Sequence, residues 1–138
     1  MAYWLFKTEP GEWSWDDQLK AGAKGTEWTG VRNPVARNNL KAMKKGDRGF
    51  FYHTGDEKQV VGIVEVVRDG RPESGDPDWT SVEIAAVAPL KRPVTLAAVK
   101  AEPKLKDMAL AKYARLSVQP VTPAEWKIVC RMGGMKDG

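Results

Sequence analysis

Residues 3 to 6 read YWLF, four large apolar side chains in a row, followed by Lys7, Thr8 and Glu9 and stopped at Pro10. Successive side chains of a strand point to opposite faces, so such a run buries both faces and cannot lie at the rim of a sheet. The first strand is therefore expected to be internal, with polar residues at its end. Further strands are expected over 48–54 (RGFFYHT), 59–67 (QVVGIVEVV), 79–90 (WTSVEIAAVAPL) and 115–121 (RLSVQPV), from β-formers and alternation. Gly62, inside the second of these, marks a bulge or a close approach to the backbone. Pro89 and Pro93 bracket the end of the third, and 69–78 (DGRPESGDPD), rich in Gly, Pro and acids, reads as a loop.

Helices fill the intervals. Ser14 and Asp17 cap a brief helix through Lys20, and 21–27 is loop. Residues 95–113 have helical composition interrupted at Pro103, giving a short helix and then a longer one. Thr122, Pro123 and Glu125 start a last helix that ends near Met132 before two glycines. The order β, α, α, β, β, β, α, α, β, α lacks a glycine-rich phosphate loop and is α+β rather than doubly wound. A small mixed barrel or strongly curved sheet, closed by the first and last strands, is the expected architecture. The 138 residues fit one domain spanning 1–138.

Function is expected in 27–47, EWTGVRNPVARNNLKAMKKGD. Asn33 and Pro34 read as N-cap and first helical residue, and Gly46 as the C′ residue. Ala36, Leu40 and Met43 share one helical face, with Arg37, Lys41 and Lys44 in a stripe beside it. Residues 24–48 carry seven cations against two acids, +5 of a total net charge of +4, so the remainder sums to −1. A local excess of this kind is the footprint expected for a polyanion, or simply a solvated helix face.

Six tryptophans are more than a core this size needs. Trp4 and Trp126 sit in apolar patterns, Trp13 and Trp15 flank a helix start, and Trp79 opens a strand. Trp28, between Glu27 and a Thr-Gly turn before the cationic helix, is either a lid over the core or an aromatic wall on which a planar ligand stacks.

Other chemistries find little support. One histidine, His53, and one cysteine, Cys130, leave no His/Cys metal site, triad or internal disulfide, and no cofactor or catalytic residue is assigned. Cys130 shares an apolar stripe with Trp126 and Val129 and reads as a small buried hydrophobe. No apolar run approaches a membrane span, and the first ten residues lack a signal-peptide pattern, so a cytoplasmic location is expected.

The stretches WLFKTEP, EWTGVRNPVARNNL, GDRGFFYHT with VVGIVEV, and RLSVQPV, in that order over nearly the whole chain, resemble the EVE domain. The resemblance implies a PUA-like mixed β-barrel surrounded by short helices, acting as a reader of modified nucleobases in DNA or RNA rather than as an enzyme. It places a base pocket at Lys7 and Thr8, at Trp28, Gly30 and Asn33, at Tyr52, His53 and Thr54, and at Ser117. Two positions depart from the pattern: Thr54 stands for a serine and keeps the hydroxyl, and Val35 stands where relatives commonly carry Gln. Phosphates would then lie along Arg32, Arg37, Lys41 and Lys44. An enzyme acting on RNA or a nucleotide through His53 or a carboxylate is a competing reading. So is an interaction domain whose basic helix docks onto an acidic protein.

Overall fold

The computed structural model describes residues 1–136. Strand β1 (Tyr3–Thr8) lies inside the sheet, parallel to β3 (Arg48–His53) and antiparallel to β6 (Val118–Val121). Its side chains divide between two buried clusters. Trp4 and Phe6 join Trp28, Leu40, Phe51 and Val66 on one face, while Leu5 joins Phe50, Tyr52, Ile63 and Trp126 on the other. The unbroken YWLF run thus reflects a strand covered on both sides.

With β2 (Thr26–Glu27), β4 (Gln59–Glu73) and β5 (Asp76–Thr95), the six strands run in the order β2-β5-β4-β3-β1-β6. The sheet is mixed and the class is α+β, but it does not close as expected. β1 pairs with β6, yet β6 is one edge and β2 the other. β2 has only two residues and β6 carries Pro120, which has no N–H for a further ladder bond. Helix α2 (Pro34–Ala42) packs across this open side against β4, β5 and β6, and Asn39 Nδ2 donates to the Val118 carbonyl at 2.8 Å. The opposite face is covered by α3 (Leu96–Ala101), α4 (Ala109–Lys112) and α5 (Pro123–Met132). There Trp126 stacks on Tyr3 and Phe50 at 4.4 and 4.0 Å between centroids.

The capping residues behave as read. Asn33 Oδ1 accepts from the Val35 and Ala36 N–H groups, and both Ser14/Asp17 and Thr122/Glu125 form reciprocal boxes. Helix α1 (Trp15–Ala21) follows Ser14. Gly46, however, does not end α2. The helix stops at Ala42 because Met43 turns into the core and the Asp47 carboxylate takes the Lys44 N–H, the Trp4 indole and the Ala2 N–H.

Residues 69–78 are not a loop but the far arm of a long bulged hairpin, turning only at Ser74 and Gly75. Their composition reflects packing. Gly70 lies against the Leu40 carbonyl of α2 where a Cβ would collide, and Glu73 turns inward. β5 likewise continues through Pro89 and Pro93 to Thr95, and 21–27 holds a 3-10 turn (Gly22–Lys24) and β2. After Pro103 there is a 3-10 turn and the four-residue α4 rather than one longer helix. Leu105, Met108 and Leu110 are all buried, a spacing that no single helical face provides. Gly62 serves as expected: the Trp15 ring lies over it where a Cβ would stand, and the ladder slips on both sides of it.

Candidate nucleic-acid interface

A cleft of about 470 Å³ opens where the polar end of β1 meets β2 and the turn before α2. Lys7, Thr8 and Glu9 form one wall, Glu12 and Trp13 a second, the run from Thr26 to Arg32 a third, and Ser117 closes the rim. Trp28, 9% exposed, packs edge-on against Phe6 and Phe51 and donates its backbone N–H to Val82. It is at once a core residue and part of the cleft lining.

The second indole of the cleft, Trp13, lies beyond what the sequence reading identified. Its Nε1 donates to Gln18 Oε1 at 3.0 Å, and Gln18, fully buried, donates in turn to the Ile84 carbonyl. Its own carbonyl accepts from Thr8 Oγ1 at 2.8 Å. The indole is therefore held through Gln18 by α1 and β5, and the backbone that carries it by β1. A buried Gln five residues after a Trp was the available signal, since an indole N–H near a core needs an acceptor.

Asn33, Tyr52, His53 and Thr54 do not line this cleft. Asn33 Oδ1 is occupied by the α2 cap. Tyr52 is buried on the opposite face of the sheet, which raises its pKa. Thr54 bonds the Thr8 carbonyl and Glu9, bracing the cleft wall from behind. His53 Nε2 accepts the Trp15 N–H at 3.0 Å, so Nδ1 carries the proton and donates to Glu57 at 2.9 Å. That bond holds the Glu57 carboxyl below its usual range. Both ring nitrogens are thus engaged, Nε2 by the Trp15 N–H and Nδ1 by the exposed Glu57 carboxylate. Lys7 is half-buried, which lowers its pKa, and its Nζ donates to the Ala114 and Tyr113 carbonyls.

The cations of 27–47 fall into two groups. Arg32 pairs with Glu73 at 2.8 Å and lies over the Trp79 ring, 5.3 Å from its centroid; Arg37 lies over the same ring at 5.2 Å. Glu73 also accepts the Gly30 N–H at 2.7 Å, and the Arg32 bond lowers its pKa. This latch fixes the turn after Trp28 to the far arm of the hairpin. Lys41 and Lys44 are exposed. Glu27 is engaged by Ser81, the Ser74 N–H and Arg68, with the Ser81 bond the largest cause of its lowered pKa. Among the described residues no three His, Cys, Asp or Glu side chains are grouped to hold a metal ion, and no helix is long and apolar enough to cross a membrane.

This mixed sheet flanked by helices matches a known class. The chain belongs to the EVE domain family, whose model matches residues 2–132. It is 33% identical to human thymocyte nuclear protein 1 over an alignment that covers 93% of this chain and 72% of that protein. Among solved structures, a protein from Agrobacterium tumefaciens is 53% identical with a TM-score of 0.97, covering 100% of this chain and 97% of that one. Human THYN1 in complex with DNA containing 5-methylcytosine superposes at a TM-score of 0.89 with 29% identity, covering 99% of both chains.

A Zygosaccharomyces rouxii YTH domain in complex with N6-methyladenosine RNA shares the fold alone. Its TM-score is 0.60 at 14% identity, covering 96% of this chain and 86% of that one.

Proposed function

We propose that this chain is a non-catalytic nucleic-acid-binding module that admits a modified nucleobase, in a single strand or flipped out of a duplex, into the cleft beside Trp13 and Trp28. The observation that carries the reading is the pair of indoles in a cleft of about 470 Å³, within the range of small-ligand sites, with backbone and hydroxyl groups around them. The complex of human THYN1 with 5-methylcytosine DNA supports it, in a relative with nearly complete overlap. Lys7, Thr8, Trp28, Gly30 and Ser117 contribute from the lining, together with Trp13. Asn33, Tyr52, His53 and Thr54 act from behind it, holding the elements that carry the indoles.

Phosphates are met by Lys41 and Lys44 and by the outward edges of Arg32 and Arg37, which both stack on Trp79, Arg32 doing so while its other edge is held by the Glu73 latch. Stacking on an aromatic is worth about 1 to 3 kcal/mol and a buried methyl about 0.8 kcal/mol. Strong preference for a modified base therefore also draws on the polar lining or on steric exclusion. The test is a comparison of oligonucleotides with and without one modified base, for the parent and for Trp13→Ala. Because Trp13 is only partly buried, the variant should stay folded and bind the modified strand about 5- to 150-fold more weakly. Equal affinity in both proteins would remove the cleft from the account.

A further inference from the structure

A second hollow adjoins the cleft. It is a groove of about 610 Å³ between the start of α2 and the segment from α4 to β6. Its floor is apolar, formed by Val35, Ala109, Leu116 and Pro120, and its rim carries Tyr113 and Arg115. Val35 and Tyr113 are each 57% exposed, the most exposed large apolar side chains after Met1 among the described residues. The two hollows share a border at two places: the cleft ends at Arg32 and Ser117, and the groove begins at the next residues in the chain, Asn33 and Leu116.

We infer that this groove receives the nucleotide flanking the modified base, with its base stacked on Tyr113 and its phosphate on Arg115. The inference rests on the proposed reading of the cleft and adds the path of the strand. Charge sets the direction. The opposite rim carries the exposed carboxylates of Glu9 and Glu12, which repel phosphate, whereas no carboxylate lines the groove. Arg115 has no hydrogen bond or ion pair among the described residues, so its guanidinium is available. The platform is also set in advance. The Tyr113 carbonyl accepts from Gln119 Nε2 and Lys7 Nζ, and Asn39 ties α2 to β6 beneath it. An exposed ring on a fixed backbone stacks a base with little ordering cost and without choosing its identity.

Two probes separate this inference from the reading beneath it: 5-methyl-2′-deoxycytidine 5′-monophosphate and a short single-stranded DNA with one central 5-methylcytosine. The parent should bind the strand more tightly than the nucleotide. Tyr113→Ala, which keeps the carbonyl that Lys7 and Gln119 use, should bind the nucleotide as the parent does but the strand about 5- to 150-fold more weakly. Tyr113→Phe should restore most of that loss. Arg115→Gln should lower the salt slope for the strand by about 0.7. Full strand affinity in Tyr113→Ala would overturn the inference and leave the groove to a protein partner. Equal affinity of the parent for strand and nucleotide would overturn it while the cleft reading stands. Binding of neither probe would overturn both.

Discussion

One face of the sheet buries Trp126 and the other Trp4, Trp15 and Trp28, and Trp126 and Trp28 are set differently. On the α5 face Trp126, 1% exposed, stacks nearly parallel on Tyr3 and Phe50 with interplanar angles of 20° and 19°, and the helices cover what remains. On the α2 face Trp28 meets Phe6 and Phe51 edge-on, at 68° and 77°, and keeps a margin in a cleft where Trp13 stands beside it. Aromatic count alone does not distinguish a core from a site. The difference lies in what surrounds the ring: helices close over Trp126, whereas Trp28 lies beside polar backbone at the margin of an open cleft.

The contrast breaks most visibly on truncation. Trp126→Ala should cost about 3 to 5 kcal/mol of stability in chemical denaturation, with the folded fraction still discriminating modified from unmodified strands. Trp28→Ala should cost a comparable amount and lose the discrimination as well. A Trp126 variant that loses selectivity while folded would merge the two faces into one functional unit.

A smaller effect concerns the latch beside Trp28. The Arg32 bond depresses the Glu73 carboxyl, so its contribution is complete above the unfolded value of about 4.3 and is lost as pH falls through the lower folded value. The stability gap between the parent and Glu73→Gln should be flat above about pH 5 and narrow in acid. Glu27 and Glu57, also depressed, titrate in both proteins and largely cancel. A gap independent of pH would remove the ionised latch. The smallest effect is expected at Lys41→Ala, which should weaken modified and unmodified strands alike and lower the salt slope by roughly one unit or less. An unchanged slope would make that residue a solvated surface lysine.

Much of the fold is written locally. YWLF required an internal strand, and Asn33, Ser14 and Thr122 announced three helix starts, because burial on two faces and capping depend on a few adjacent residues. The hairpin arm over 69–78 was hidden because Gly70 answers to α2 and Glu73 to Arg32, both distant in sequence. The failure of the barrel to close likewise depends on how short β2 is and on how α2 lies over the gap. In the site, Trp28 stood out by its setting. Trp13 did not, since the partners that aim it, Gln18, Ile84 and Thr8, meet only in the folded chain. His53 and Tyr52 show the reverse: conspicuous in sequence, they lie outside the cleft, His53 bonded to the Trp15 N–H and Tyr52 buried on the other face.

The most direct test of the central claim uses the six indoles as internal probes. In 15N-labelled protein each tryptophan Nε1–H gives its own NMR signal, and titration with an oligonucleotide carrying one modified base reads all of them together. The indole signals of Trp13 and Trp28 should move and saturate together, more for the modified strand than for its unmodified counterpart, while that of Trp126 stays in place. Saturation of binding with Trp13 and Trp28 unmoved, or with Trp126 moving as they do, would contradict the assignment of the cleft as the base site.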